Sequence, residues 1–313
     1  MPVPVDPTGR AGPTKGQARG PRWRRTSPGL YVPADVDPAV PEQRIVEAAG
    51  HLSSAGAVTG WAALRLYGGS MFDGLAWDGR TPRDVPLVMG PHQGRRSREG
   101  IRLLCDRVGP TTTARGIPCV PVTRALFDEM RLARGLVPAV VAADMAMLAD
   151  LVTVDRMWEF STSHGGWAGV PLARRALQLA DPHSCSPQET RLRLLWEVGL
   201  KLPRPLCNVA VFDRDGFFLG FPDLLDPVAG LAIEYDGADH RSAQRHSDDI
   251  DREARLRAVG LEVTRVTGRD LARPRELAAR LRTARERAQS LPVEQRGWLL
   301  EPPNQRDYCP ESS

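Results

Sequence analysis

The residues best placed to do chemistry lie in the stretch FPDLLDPVAGLAIEYDGADH, which runs from Phe221 to His240. Residues 232–236 follow an apolar run and stop at Gly237, the pattern of a strand whose Glu234 and Asp236 point to the same side. With Pro227, Val228, Ala229 and Gly230 as a four-residue hairpin loop, Asp226 opposes Leu231, and the same register sets Asp223 across from Glu234. Cross-strand spacings then bring Asp223, Glu234 and Asp236 within roughly 5 to 8 Å of one another. Like charges so placed destabilise a sheet unless a cation sits between them, so the arrangement predicts a divalent metal on Asp223 and Glu234. Asp226 reads as a turn residue.

Several elements must position these acids. Ser186 and Glu189 stand at capping-box spacing with Pro187 at the first helical position, which predicts a helix start. Glu189 either completes that cap or turns toward a metal on a neighbouring sheet. Residues 206–212 and 217–223 alternate around the turn Asp213, Arg214, Asp215, Gly216, a second hairpin that joins 231–236 in a three-stranded antiparallel meander. After His240 comes SDDIDREARLRAVG, a helical pattern with Asp249 and Arg252 three apart, then the strand EVTRV and a helix interrupted near Pro274. The fold class is α+β, in the order helix, three strands, helix, strand, helix.

This order and its residues resemble the very-short-patch-repair-like branch of the PD-(D/E)xK, or restriction-endonuclease-like, superfamily, in a family long labelled a domain of unknown function. Glu189, Pro222 and Asp223, the IEYDG of residues 233–237, His240, and the series Asp249, Arg252, Leu256, Gly260 and Arg265 carry the resemblance, which covers about residues 186–270. It implies a metal-dependent DNA endonuclease using Mg²⁺ or Mn²⁺, with Asp223, Glu234, Asp236, His240 and Glu189 catalytic and Asp223 and Glu234 as metal ligands. The superfamily's usual second motif ends in lysine, where this chain has Asp236, and its lysines are confined to Lys15 and Lys201. The branch it resembles uses an acidic residue and a histidine instead. In that chemistry Asp236 is a third ligand or orients the attacking water, and His240 acts as general acid or polarises the phosphate when protonated. Arg252 contacts phosphate or pairs with Asp249.

At 313 residues and 34.3 kDa the chain has room for two domains. Its 42% apolar and 26% charged content is that of a soluble protein, expected in the cytoplasm, with no apolar run of membrane-spanning length. The cysteines at 105, 119, 185, 207 and 309 show no CxxC pair, which argues against structural zinc and a disulfide framework. A net charge of +4, nearly all its positive side arginine, leans toward nucleic acid, and a GC-rich coding bias produces the same excess.

Residues 1–21 read as a disordered basic arm. Arg24 and Arg25, candidate nucleic-acid contacts, precede a Pro-Gly turn and a strand at 30–32, and two helices follow, from Pro41 and from Thr59 as N-cap, with Gly56 in the turn between them. The pair is compatible with a helix-turn-helix or winged-helix unit, and on pattern alone it reads first as a plain helical hairpin. Strands are expected at 85–89, 101–104 and 117–120, and helices over 122–151, on which Asp128 and Asp144 read as caps or solvated faces. The loop HQGRRSREG, with Arg95 and Arg96, either contacts phosphate or is simply solvated. The arginine-plus-LYVP opening, the helix ending at Tyr67 and Gly68, and GIPCVPVTRALFD followed by AADMAML resemble AbiEi-type antitoxin-like winged-helix regions over residues 22–150. That resemblance implies DNA binding by analogy. Residues 151–183 are then a helical connector, 184–290 the nuclease-like domain and 291–313 a tail. A competing reading is a non-catalytic DNA-binding regulator with a degenerate nuclease fold.

Overall fold

The computed structural model describes residues 1–90, 98–237 and 252–302. The chain is mixed α+β and divides into two compact units, Met1–Ala180 and Asp181–Ser313. No described helix is long and apolar enough to cross a membrane.

The first unit opens with a three-stranded antiparallel sheet, β1 (Val3–Pro4), β2 (Trp23–Ser27) and β3 (Leu30–Pro33), in the order β1-β3-β2. The expected disordered arm is therefore folded in part. Val3 pairs with Tyr31, and the Asp6 carboxylate accepts the backbone N–H groups of Thr8, Arg10 and Ala11, which closes a turn that composition did not signal. Helix α1 (Pro41–Ala49) leads to β4 (Ala57–Val58), α2 (Gly60–Leu66), β5 (Val85–Val88), β6 (Ile101–Leu104), β7 (Thr112–Ala114) and β8 (Ile117–Cys119). These strands form one sheet in the order β6-β5-β4-β8-β7. The link between α1 and α2 is thus more than a turn, because β4 pairs with both β5 and β8.

Helices α3 (Val122–Leu132), α4 (Leu136–Leu148), α5 (Val154–Ser163) and α6 (Val170–Leu179) complete this unit. Residues 151–180 are part of its core and not a connector: Met157, Ala173 and Leu177 are buried, and Phe160 and Trp167 pack their rings on Phe127. Asp128 and Asp144, expected at caps or on solvated faces, are fully buried. Asp128 accepts from Thr59 Oγ1 at 2.6 Å, Arg124 Nε at 2.8 Å and Arg131 Nε at 2.7 Å, partners that the sequence places far apart or on the same helix. Thr59 precedes α2 as expected, yet its hydroxyl serves Asp128. Glu129 Oε2 accepts the Trp61 N–H instead, at 2.9 Å, and supplies negative charge to the helix start.

The second unit begins with α7 (Pro187–Leu194), continued by a π-helical turn over Leu195–Gly199. Then come β9 (Leu206–Cys207), β10 (Val211–Asp213), β11 (Phe218–Gly220), β12 (Leu224–Asp226) and β13 (Leu231–Asp236). Helical residues 252–258 form α8, followed by β14 (Glu262–Thr267), α9 (Gly268–Leu271), α10 (Pro274–Gln289) and β15 (Trp298–Leu299). The predicted meander is split between two sheets, β14-β13-β12-β9 and β11-β10-β15. Two backbone positions cause the split. Asn208 at φ +46° and Gly220 at φ +149° leave the extended region on either side of the β10-β11 hairpin, so the long ladder cannot run through. The tail is also recruited: Trp298 pairs with Asp213, and Arg296 donates to the carbonyls of Val228 and Ala229.

The β12-β13 register is the one expected, with Asp226 opposite Leu231 and Leu224 opposite Ile233. Both faces of this pair are covered. Leu224, Leu231 and Ile233 pack with Leu277 and Leu281 of α10, while Leu225 and Ala232 pack with Leu256 of α8 and Val211. A one-residue slip of β13 would turn Glu234 into the Leu231 and Ile233 face, among apolar side chains, so the register is held by the cost of burying a charge.

Candidate active site

Asp223 immediately precedes β12, one step beyond the Leu224-Ile233 pair, and so lies beside Glu234. Its Oδ2 accepts the Tyr235 N–H at 2.6 Å, which ties the carboxylate to β13. Glu234 is 6% exposed, and its Oε2 accepts from Arg252 Nη2 at 3.0 Å. Arg252 thus pairs with Glu234; Asp249, the partner expected from spacing, lies outside the described residues. Gly220 gives the arginine its clearance. A Cβ there would come to 2.9 Å from Arg252 Cδ, and the positive φ adds strain for any other residue.

Glu189 comes from the start of α7. Ser186 Oγ accepts the Glu189 N–H at 3.2 Å, the expected half of a capping box. The carboxylate reaches past the N-cap, accepting from Cys185 N–H at 2.9 Å and from Asn208 Nδ2 at 2.8 Å. Asn208 also donates its backbone N–H to the Asp223 carbonyl at 3.2 Å, so one residue ties the helix acid to the strand acid. Its left-handed conformation makes both contacts reachable. Sequence reasoning missed Asn208, because inside an alternating strand pattern it read as one more polar position; an asparagine there, a residue that tolerates positive φ, was the available signal.

The charges report the convergence. Burial pushes the Asp223 carboxyl up to about 7, with Glu189 and then Glu234 adding repulsion against the opposing Tyr235 N–H and Arg252. Burial together with the Glu189 and Asp223 charges also raises the Cys185 thiol. Glu189 and Glu234 therefore both act on Asp223, as spacing predicted for Glu234 and left open for Glu189. Each carboxylate carries a local donor, and among the described residues no three His, Cys, Asp or Glu side chains are set as a ready metal cage. In donor chemistry the set fits a hard divalent cation, since such an ion would offset both the desolvation and the repulsion that raise the Asp223 carboxyl.

Asp236 follows Glu234 by two residues on the same face of β13, opposite Thr267 of β14. His240 lies outside the described residues, as do Arg95 and Arg96. Asp226 is a turn residue as expected: its Oδ1 accepts from Val228 and Ala229 N–H, and its Oδ2 pairs with Arg285 at 2.8 Å. Arg24 is held by an ion pair within its own unit. Both its terminal nitrogens are taken by Glu47, at 2.6 and 3.0 Å, so its charge is matched within the first unit. Arg25 is exposed, with Nε on the Ser27 carbonyl. Comparison with family models, with curated proteins and with solved structures finds no match to this chain.

Proposed function

We propose that the second unit is a metal-dependent DNA endonuclease of the PD-(D/E)xK type, in its very-short-patch-repair-like form, and that the first unit, read as winged-helix-like, delivers it to DNA. The observation that carries this reading is the convergence of three acids: the β12-β13 register sets Glu234 beside Asp223, and Asn208 joins Asp223 to Glu189. A fold without use for such a cluster would gain stability by losing one of the acids. Asp223 and Glu234 would hold Mg²⁺ or Mn²⁺, with Glu189 and Asp236 alongside. When bound, the cation supplies charge neutralisation at the phosphoryl oxygens and a more acidic water. Asp236 would orient the attacking water, and Tyr235 N–H and Asn208 keep Asp223 and Glu189 in place. Arg252, paired with Glu234, would meet a phosphate oxygen if that carboxylate held a metal. His240 is assigned the leaving-group proton on resemblance alone.

The test is nicking of supercoiled DNA by purified protein with Mg²⁺, with Mn²⁺ and with EDTA, for the parent and for Asp223→Ala and Glu234→Ala. Cleavage by the parent with metal only, and none by folded variants, is the expected result. Equal cleavage by parent and variants rejects the assignment. The Arg252-Glu234 ion pair favours a second reading, a non-catalytic DNA-binding regulator, because it satisfies one acid without a cation. Under that reading calorimetry shows DNA binding and no Mg²⁺ or Mn²⁺ binding.

A further inference from the structure

The first unit contains a pocket of about 720 Å³ that the nuclease reading does not use. Its rim is the loop from Asp106 to Pro110, and its walls are α3 and the segment carrying Phe160, His164 and Trp167. The rings form a continuous aromatic surface: His164 stacks on Phe160 with centroids 4.2 Å apart and meets Trp167 at 4.3 Å. Beside it lies Arg124, only 5% exposed, with its guanidinium carbon 4.1 Å from the Trp167 ring centre. Arg124 Nε is committed to Asp128. Its Nη2 is buried and makes no hydrogen bond among the described residues; Asp106 Oδ2, the carboxylate oxygen paired with it, stays 3.6 Å away.

A buried guanidinium N–H lacking an acceptor is a cost that native interiors rarely leave in place. The geometry points to a ligand that supplies the acceptor: we propose that this pocket binds a small planar aromatic carboxylate, its carboxylate on Arg124 and its ring against the Phe160, His164 and Trp167 wall. A carboxylate is the matching head group because hydrogen bonds between ions are about twice as strong as neutral ones and a guanidinium presents a fork of donors. An aromatic body suits this wall, where His164 stacks on Phe160 at 21° and Trp167 meets them edge-on at 65° and 83°, because offset or edge-on ring packing adds to burial. The volume lies within the range of about 300 to 1,000 Å³ usual for small-molecule sites. Asp106 is the internal competitor. Its side chain is 43% exposed at the rim, where it pairs with Arg131 and approaches Arg124, so it turns to solvent when the ligand arrives.

The experiment is calorimetric titration of the full chain with three probes: 1-naphthoate, the neutral 1-naphthalenemethanol, and acetate. Expected is saturable binding of one 1-naphthoate per chain, with the alcohol weaker by about tenfold or more, the scale of one charged hydrogen bond, and acetate, which keeps the charge and lacks the ring, weaker by at least as much. Asp106→Asn removes the competitor and is expected to tighten 1-naphthoate severalfold. Ala168→Phe, a change at an exposed residue lining the pocket, is expected to abolish binding while circular dichroism stays that of the parent. Absence of saturable 1-naphthoate binding overturns the proposal, as does equal affinity for the alcohol. Unchanged or weaker binding by folded Asp106→Asn also overturns it, and this arm stands even if the bulky variant fails to fold.

Discussion

Replacing Asp223 by asparagine removes a carboxyl that the fold holds far from its ordinary state. Folded Asp223 keeps its proton to about pH 7, whereas the unfolded chain releases it near 3.8. Between those values the folded state holds the extra proton, so stability falls as pH rises, and above about pH 7 the full cost is present. At about 1.36 kcal/mol per pH unit the difference corresponds to roughly 4 kcal/mol, and partial solvent access brings the expected effect to about 2 to 4 kcal/mol. The substituted amide would keep an acceptor for the Tyr235 N–H and lose the charge. In EDTA, Asp223→Asn is therefore expected to match the parent near pH 4 and to exceed it by that amount at pH 8. Hydrogen-exchange mass spectrometry on peptides covering β12 and β13 is the suitable assay, since it reports this unit separately from the first. Metal should narrow the gap: with free Mn²⁺ about tenfold above its dissociation constant the parent gains about 1.4 kcal/mol and the variant nothing. A variant with the parent's pH slope refutes the argument that burial and neighbouring acids hold the proton on Asp223.

Glu189→Gln removes the larger of the two repulsive charges, so the Asp223 carboxyl is expected to titrate below its parent midpoint, read by carboxyl ¹³C chemical shifts; an unmoved midpoint means the two acids do not interact. Gly220→Ala sets a Cβ 2.9 Å from Arg252 Cδ at a positive φ, with an expected loss of about 1 to 3 kcal/mol and faster amide exchange in β13. Unchanged exchange would show that Arg252 yields freely. In the first unit, Thr59→Val takes the 2.6 Å donor from buried Asp128 and is expected to cost about 1 to 3 kcal/mol in thermal unfolding, with Thr59→Ser retaining most of the stability.

Local pattern determined the hairpin that carries the acids. Its register follows from a period of two and a turn of fixed length, so Asp226 opposite Leu231 was readable before any fold was known, and so was Asp223 beside Glu234. The Ser186 cap was equally legible, because capping depends on residues only three positions apart. What lay beyond the sequence involved partners far along the chain or backbone angles that break a pattern. The meander divides into two sheets at Asn208 and Gly220, positions that alternation alone treats as continuous. Arg252 turned to Glu234 across 18 residues, and Asp128 was buried by Thr59 across 69. Helices that composition read as a connector joined a core through Phe127, Phe160 and Trp167. The sequence by itself determined which acids share a strand pair, since side-chain direction in a strand is local. Only the tertiary structure decided that Glu189 and Asn208 close on them and that burial, with the Glu189 and Glu234 charges, raises the Asp223 carboxyl, because burial and charge proximity exist only once distant segments have packed.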